Sequence, residues 1–404
     1  MIRVWAFLLA LMGAMPLAAQ DLRGHGGPVR ALAVDAAGLV YSGSFDTRAI
    51  VWEGAIARQI TRFHEGAVTA VLPLPRGGFA SGGQDGRVAI WGDGPEPLQV
   101  DTPHELPVAD LAPWQGGIAS AGWDGRIVLR PAQGELIVIA AHEGQISGLV
   151  AFGGGLASVG ADLRLRLWDA GGANVGQIGL AAPVSALATD GQALFAASPD
   201  GSLTRVLPSG DLQRVEVSPR PLLSVAVGGG RVVTAGTTGD IWVLDAETLQ
   251  QQTVISSDQG AVWALVLTAD ELLSGGADGL IRRWRPDGKP LGEGPLAADV
   301  TLTSPRGAEV FRACAVCHTL TPDDGARAGP TLHGIFGRKI GTAEGYDYSQ
   351  ALRGMDIIWT PQTVSELFEF GPHAYTPGSR MPEQRVPSES DRAALIRFLE
   401  TATR

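Results

Sequence analysis

Over the first three quarters of the chain, apolar and polar residues alternate in short runs. Examples are Val29-Arg30-Ala31-Leu32-Ala33-Val34 and Arg87-Val88-Ala89-Ile90-Trp91, each bounded by Gly and Asp turns. Period-two alternation with turn signals every ~8–12 residues predicts short antiparallel strands. The alternation ends where Pro and Gly cluster from Pro286 to Pro295, as at a domain boundary. Beyond it a helical period takes over: Arg306 to Ala315 and Asp391 to Thr401 carry apolar residues at three- and four-residue spacing. The second of these follows Ser388-Glu389-Ser390-Asp391, a cluster suited to starting a helix.

The opening residues show a third pattern. Arg3 precedes an apolar stretch from Val4 to Met12, and small residues end it at Leu17-Ala18-Ala19. That layout predicts a secretory signal at 1–19, cleaved near Ala19. The stretch is too short for an anchor, which needs about 20 apolar residues, and Gly13 and Pro16 break its continuation. The expectation is an exported, periplasmic protein with no stable membrane insertion after cleavage.

The strand region repeats itself. Ser42 to Asp46, Ser81 to Asp85, Ser120 to Asp124, Ser158 to Asp162 and Ser274 to Asp278 align as Ser-x-Gly/Ser-x-Asp-like segments. The aspartates step from Asp46 through Asp85, Asp124, Asp162 and Asp200, and two further steps through Thr238-Gly239-Asp240 reach Asp278, making seven units. Trp52, Trp91, Trp168 and Trp284 follow their aspartates, and His25, His64, His104 and His142 precede theirs. With Gly24-His25 and Trp168-Asp169 as its two signature dipeptides, the region resembles a WD-repeat β-propeller. The resemblance implies a hydrogen-bonded His, Asp, Ser and Trp set inside each blade. Recurrence once per repeat keeps these histidines apart, so they are read as structural rather than as one catalytic or metal centre. Trp114, Trp123 and Trp242 are read as packing or rim residues. Arg130, Val206 and Ala246 occupy the expected tryptophan position in units three, five and six, and Asp258 stands at the histidine position of unit seven. The ring's last outer strand is expected either from Asp21 to Gly24 or from Lys289 to Leu296.

Composition narrows the function. The 404 residues are 45% hydrophobic and 18% charged, with 55 Gly and 26 Pro, which excludes disorder and favours several domains rich in tight turns. A net charge of −11 argues against nucleic acid as a partner. Two cysteines cannot form a disulfide scaffold, and both lie in Cys314-Ala315-Val316-Cys317-His318. Cys-x-x-Cys alone is compatible with thiol redox, half a zinc site or a disulfide. The adjoining histidine makes it the haem-attachment pentad, while zinc would need two further ligands and thiol redox a βαβ surround.

Downstream, Met381 sits in Thr376-Pro377-Gly378-Ser379-Arg380-Met381-Pro382. Between the two lie Gly329-Pro330-Thr331-Leu332-His333-Gly334, Phe336-Gly337-Arg338-Lys339 and Gly345-Tyr346-Asp347-Tyr348. Together these closely resemble the monohaem class I cytochromes c of the mitochondrial and bacterial c2 kind, from Ser304 to Arg404. The resemblance implies thioether attachment at Cys314 and Cys317, with His318 and Met381 as iron ligands. It implies that the Pro330 carbonyl orients the His318 imidazole and that Arg338, Tyr348 and Trp359 bind the haem propionates. Phe311 and Phe398 would meet where the first and last helices cross. Leu352 and Phe368 depart from the family pattern, replacing a polar residue and an inner tyrosine. His333 and His373 are read as loop residues rather than ligands.

The expected architecture is multidomain: a signal peptide (1–19), an all-β seven-bladed propeller (20–288), a linker (289–303) and a small all-α cytochrome c domain (304–404). The expected cofactor is one covalently attached haem c per chain. The expected function is single-electron transport by a periplasmic cytochrome whose propeller is a protein-interaction platform, more a carrier than an enzyme with its own substrate. Expected partners are redox proteins, with a membrane oxidase, a reductase or a periplasmic dehydrogenase as candidates. The alternative is an oxidoreductase whose propeller binds a substrate or second cofactor and feeds electrons to the haem. Residues 304–404 hold 11 Lys+Arg against 12 Asp+Glu, whereas residues 21–303 hold 19 against 30. The acidic propeller is therefore expected to steer a basic partner.

Overall fold

The computed structural model describes residues 21–132, 134–291, 305–315, 318–320, 322, 329–344, 346, 348–379, 381 and 385–403. The signal region, most of the linker and Cys317 lie outside them.

Seven four-stranded antiparallel sheets form from consecutive strands, as the alternation predicts. The first strands of the blades are Val29–Val34, Val68–Pro73, Val108–Trp114, Ile146–Phe152, Ala186–Thr189, Leu222–Gly228 and Val262–Leu267. Each packs on the next and the last returns to the first, so these strands wall a central channel. Apolar residues fill the seams between blades. Trp52, Ile50 and Leu22 pack with Leu273 and Ile281 where blade seven meets blade one, and Trp114 and Trp242 are likewise core residues.

Both segments expected as alternatives for the last outer strand contribute to it. Leu22–Arg23 takes the fourth position of blade seven, pairing through Leu22↔Ile281 and Arg23↔Leu280. At the other end of the same partner strand, Pro290 bridges Trp284 and the Leu291 amide donates to the Arg283 carbonyl at 2.8 Å. Residues 289–291, expected in the linker, thus belong to the propeller.

The repeated polar residues form separate buried sets. In blade one the Trp52 indole N–H donates to Ser42 Oγ at 2.8 Å, Ser42 lies 2.7 Å from His25 Nε2, and His25 Nδ1 lies 3.1 Å from Asp46. With Nδ1–H given to the carboxylate, Nε2 accepts from the serine, so both ring nitrogens of His25 and the indole N–H of Trp52 are satisfied. Blades two and four repeat this through His64, Ser81, Asp85 and Trp91, and through His142, Ser158, Asp162 and Trp168. Blade three keeps His104, Ser120 and Asp124, while Arg130 turns to an ion pair with Asp101 instead of a tryptophan's role.

Two assignments in the degenerate blades change. In blade seven the histidine's place is taken by Gln259, not Asp258: Ser274 Oγ donates to its Oε1 at 2.5 Å and its Nε2 donates to Asp278 at 3.3 Å. In blade six the strand register sets Leu244 opposite Val232, as Trp52 lies opposite Val40, so Leu244 and not Ala246 fills the tryptophan position. The slip arises because blade six carries Thr238 where the others have the turn aspartate, and Asp240 is two residues beyond it.

The C-terminal region is helical: α1 (Pro305–Ala315), α2 (Gln350–Arg353), α3 (Pro361–Phe370), α4 (Pro372–Tyr375) and α5 (Glu389–Ala402). Ser388 caps α5 by accepting the Asp391 amide, as its sequence cluster predicts. Thr360 and Thr363 form a reciprocal capping box at α3. Helices α1 and α5 cross with the Phe311 and Phe398 rings 5.3 Å apart. Gly307 permits that approach, since a Cβ there would lie 2.2 Å from the Ala394 carbonyl oxygen. Arg306 grips Asp391 with two 2.8 Å hydrogen bonds at the same crossing. Among the described residues no helix is long and apolar enough to cross a membrane.

Candidate functional site

The helices and their connecting loops, together with residues of blade one such as Pro28, Phe45, Thr47 and Arg62, line a cavity of about 500 Å³ that is predominantly apolar. Cys314, His318, Pro330, Arg338, Tyr348, Trp359 and Met381 all line it, so residues spread over the whole domain converge on one space. Cys314 reaches it from the last turn of α1, and His318 follows, its amide bonded to the Cys314 carbonyl at 2.9 Å.

The His318 ring is held from behind. Its Nδ1 lies 2.8 Å from the Pro330 carbonyl oxygen, which can only accept, so Nδ1 carries the proton and Nε2 the lone pair of the ring. Gly329 makes room for this arrangement, because a Cβ there would lie 2.5 Å from the imidazole Cε1. A tautomer fixed by a backbone carbonyl, with the lone pair on the other nitrogen, is what a metal-ligating histidine requires.

Later in the sequence, the chain leading into Met381 is tied down twice. The Met381 amide donates to Ser379 Oγ at 3.0 Å, and the Ser349 hydroxyl donates to the Gly378 carbonyl at 2.9 Å. Ser349 also caps α2, so one hydroxyl links the methionine loop to the helix that carries Leu352. Neither serine stands out in the sequence; their only signal is their place beside Met381 and Tyr348.

Arg338 donates to the backbone carbonyls of His333 and Thr331, at 3.0 and 2.6 Å. Burial pulls its pKa down, and the facing Tyr348 phenol pushes it back up. The guanidinium therefore braces the Thr331–His333 turn while bordering the cavity beside Tyr348. Leu352 and Phe368 also line the cavity, so both departures from the family pattern place hydrocarbon where a hydrogen-bonding side chain was expected. His333 is not among the lining residues, and the side chain of His373 and the whole of Cys317 lie outside the described residues.

The donor set suits haem. One thiol, an oriented imidazole and a thioether border an apolar cavity with an arginine and a phenol at its margin, and the soft sulfur and nitrogen donors match iron in a porphyrin. In the propeller the four repeated histidines are each engaged by the serine and aspartate of their own blade. No three His, Cys, Asp or Glu side chains gather into a metal-binding group among the described residues.

Comparison with known proteins agrees with this geometry. Residues 304–403 match the family model for cytochrome c, and residues 18–53 and 58–92 match the WD domain, G-beta repeat. A cytochrome c of Arabidopsis thaliana is 41% identical over 110 residues, covering 26% of this chain and 97% of the relative. A cytochrome c of Cochliobolus lunatus is 42% identical over 100 residues, covering 24% of this chain and 92% of the relative. The WD40 β-propeller domain of Doa1 superimposes with a TM-score of 0.59 at 20% identity, covering 66% of this chain and 95% of that structure, which supports the fold alone. The chain belongs to the cytochrome c family through its last hundred residues, behind a seven-bladed WD-repeat propeller.

Proposed function

We propose that the protein is an exported, periplasmic carrier of single electrons, with one haem c bound covalently through Cys314 and Cys317 and ligated by His318 and Met381. The observation that carries this reading is the 2.8 Å contact of His318 Nδ1 with the Pro330 carbonyl, in a cavity also lined by Cys314 and Met381. Haem c held there by His318 and Met381 would supply a one-electron iron couple, suited to electron exchange rather than oxygen or peroxide chemistry. Pro330 keeps the imidazole in the ligating tautomer. Arg338, Tyr348 and Trp359 hold the propionate end, and the apolar wall formed with Leu352 and Phe368 keeps water from the metal side. Excluding water and fixing the ligands lowers the reorganisation that accompanies a change of charge.

The propeller serves as the platform that brings redox partners to this domain. Its acidity supports a basic partner surface. Export rests on the leader-like composition of residues 1–19.

The test is spectroscopic. The reduced holoprotein is expected to be low-spin with a sharp α band, and the oxidised form to show a weak methionine–iron charge-transfer band that Met381→Ala removes. Acid–acetone should leave the pigment on the polypeptide. A high-spin spectrum, an unaltered spectrum in Met381→Ala, or extraction of the pigment overturns the ligation or the attachment. Amino-terminal sequencing of the protein from a periplasmic fraction tests export; a chain retained with Met1 in the cytoplasm overturns it.

A further inference from the structure

Blade one departs from its sisters on the face that borders the haem cavity. After the set histidine, blades two, three and four carry Glu65, Glu105 and Glu143, whereas blade one carries Gly26. The backbone is the same in all four: the amide of this residue donates to the turn aspartate, at 2.8 Å in blade one and at 3.0, 3.2 and 3.4 Å in the others. The three glutamates are exposed, but Gly26 and Gly27 are buried and line the cavity together with Cys314, His318 and Met381. Among the four histidine blades, the acidic side chain is missing only from the one that borders this space. The turn at residues 45–47 forms the rest of the wall and is sewn to the loop of Gly26, Gly27 and Pro28. The Phe45 amide donates to the Pro28 carbonyl at 3.0 Å, and Ser44 Oγ donates to the Gly27 carbonyl at 3.0 Å. The Trp263 ring backs Phe45 from blade seven, 6.1 Å away.

Two residues of this wall have no explanation inside the propeller. Thr47 holds φ 70° at the position occupied by Gly86, Gly125, Gly201, Gly239 and Gly279 in five other blades. A β-branched side chain crowds the left-handed backbone, and such strain persists where the surroundings require that side chain. The Thr47 hydroxyl makes no hydrogen bond among the described residues. Arg62 ends the outer strand of blade one, Ile56–Arg62, and borders the same cavity. Its guanidinium forms neither a hydrogen bond nor an ion pair among the described residues. Residues 21–303 hold 19 Lys+Arg against 30 Asp+Glu, so a cation without a carboxylate stands out there.

We propose that blade one is a wall of the haem site: Pro28 and Phe45 close the cavity on the propeller side, and Arg62 and Thr47 donate hydrogen bonds to a haem carboxylate. The inference rests on the haem reading of the cavity and adds propeller residues to it. Glycine at position 26 fits this role twice. It leaves space for the neighbouring domain, and it removes a charge that would repel a carboxylate. Arginine suits the contact because its planar fork pairs with both oxygens of a carboxylate. An apolar cover excludes water, which strengthens each charge interaction behind it. The propeller is thereby part of the redox centre as well as a platform for partners.

The test uses the haem-loaded full chain with a fluorophore on Glu65→Cys, in the loop that leaves Arg62, or on Asp211→Cys in blade five. Haem quenches emission at short range. The dye at position 65 is expected to show a single short lifetime and the dye at position 211 a longer one. Gly26→Glu installs the residue that three sister blades already accommodate. The propeller melting transition is therefore expected to be unchanged, while the dye at position 65 loses its short lifetime. Arg62→Gln is expected to lower the midpoint potential, because a nearby cation favours the less positive iron, and Arg62→Lys to preserve it. Equal lifetimes at the two positions, a short lifetime that survives Gly26→Glu, or a potential unmoved by Arg62→Gln overturns the proposal. Absorption spectra of the same samples keep the two readings apart. Any of those outcomes with an intact low-spin spectrum sinks this inference alone, whereas a chain that takes up no haem sinks both.

Discussion

In blade seven Ser274 donates its hydroxyl to the Gln259 side-chain oxygen at 2.5 Å, while the same amide donates to Asp278 at 3.3 Å. An amide offers one acceptor and one donor at its two ends, as the neutral imidazole does in blades one to four. The Trp284 indole still delivers its N–H to Ser274 at 2.8 Å, so the chain of polarity from indole to carboxylate is intact without a histidine. Gln259→Leu keeps the volume and removes both functions. The variant is expected to lose about 1–3 kcal/mol of unfolding free energy, read from the tryptophan fluorescence transition in urea, while the haem absorption spectrum is unchanged.

Histidine sets and the channel acid respond to pH in opposite senses. Burial lowers the pKa of His104 and His142 more than Asp124 and Asp162 raise it. The unfolded chain therefore takes up protons first as pH falls below about 6.5, and this share of the stability is lost on acidification. Asp110 behaves the other way: burial pushes its carboxyl up to about 6, against an ordinary 3.8. Its native form binds a proton before the unfolded form does, so acidification from pH 7 toward 4 adds stability through this group. Asp110→Asn removes only the second effect. Its unfolding free energy relative to the wild type is expected to improve steadily as pH rises from 4 to 7; a pH-independent offset would contradict the assignment.

Gly329 is the residue on which the orientation of His318 depends. A methyl group there would sit 2.5 Å from Cε1 and 2.7 Å from Nδ1, so Gly329→Ala must displace the ring from the Pro330 carbonyl. The expected outcome is a lower yield of haem-loaded protein and a shifted midpoint potential in the loaded fraction, measured by voltammetry, with the propeller melting transition unaltered.

Turn positions offer a prediction of opposite sign. The residue after the turn aspartate is Gly86, Gly125, Gly201 or Gly279 in four blades, all with positive φ, but Leu163 in blade four, at φ 58°. Leucine in the left-handed region costs roughly 1–2 kcal/mol. Leu163 is partly solvent-exposed, so its side chain contributes little packing to offset that cost. Leu163→Gly is expected to raise the stability of the propeller by up to about 1 kcal/mol, checked by denaturant titration; a loss would show that contacts of the side chain outweigh the strain.

Much of this is legible in the residues themselves. The histidine, serine, aspartate and tryptophan marks recur at one period, and the resemblance to WD repeats is what joins His25 and Trp52 in one buried set. The helix beginning at Glu389 is readable from the Ser388 cap, and the meeting of Phe311 with Phe398 from the family pattern. Gln259 is not legible, because glutamine in place of histidine is a substitution of function rather than of type, and the stretch from it to Asp278 is one residue shorter than from His104 to Asp124 or from His142 to Asp162. Leu244 is hidden by the missing turn aspartate, which shifts the apparent register by two. Ser349 and Ser379 act through backbone contacts around the methionine loop, and a hydroxyl beside a turn has no pattern that distinguishes it from any other serine. Placement of Pro290 against Trp284 depends on the space left beside Leu22–Arg23, which only the closed ring defines.

Joining Leu22 to Ile281 sets an order of events during biogenesis. The earliest-made piece of the ring has no neighbour until some 260 residues later have been synthesised, so six blades must stack with an unsealed flank while they wait. The segment bearing Cys314 follows this pair in the chain, so the ring can seal before the haem-binding region folds. Interrupting translation just short of Ile281 would leave a horseshoe with a sticky rim, prone to cross-pairing with its own kind.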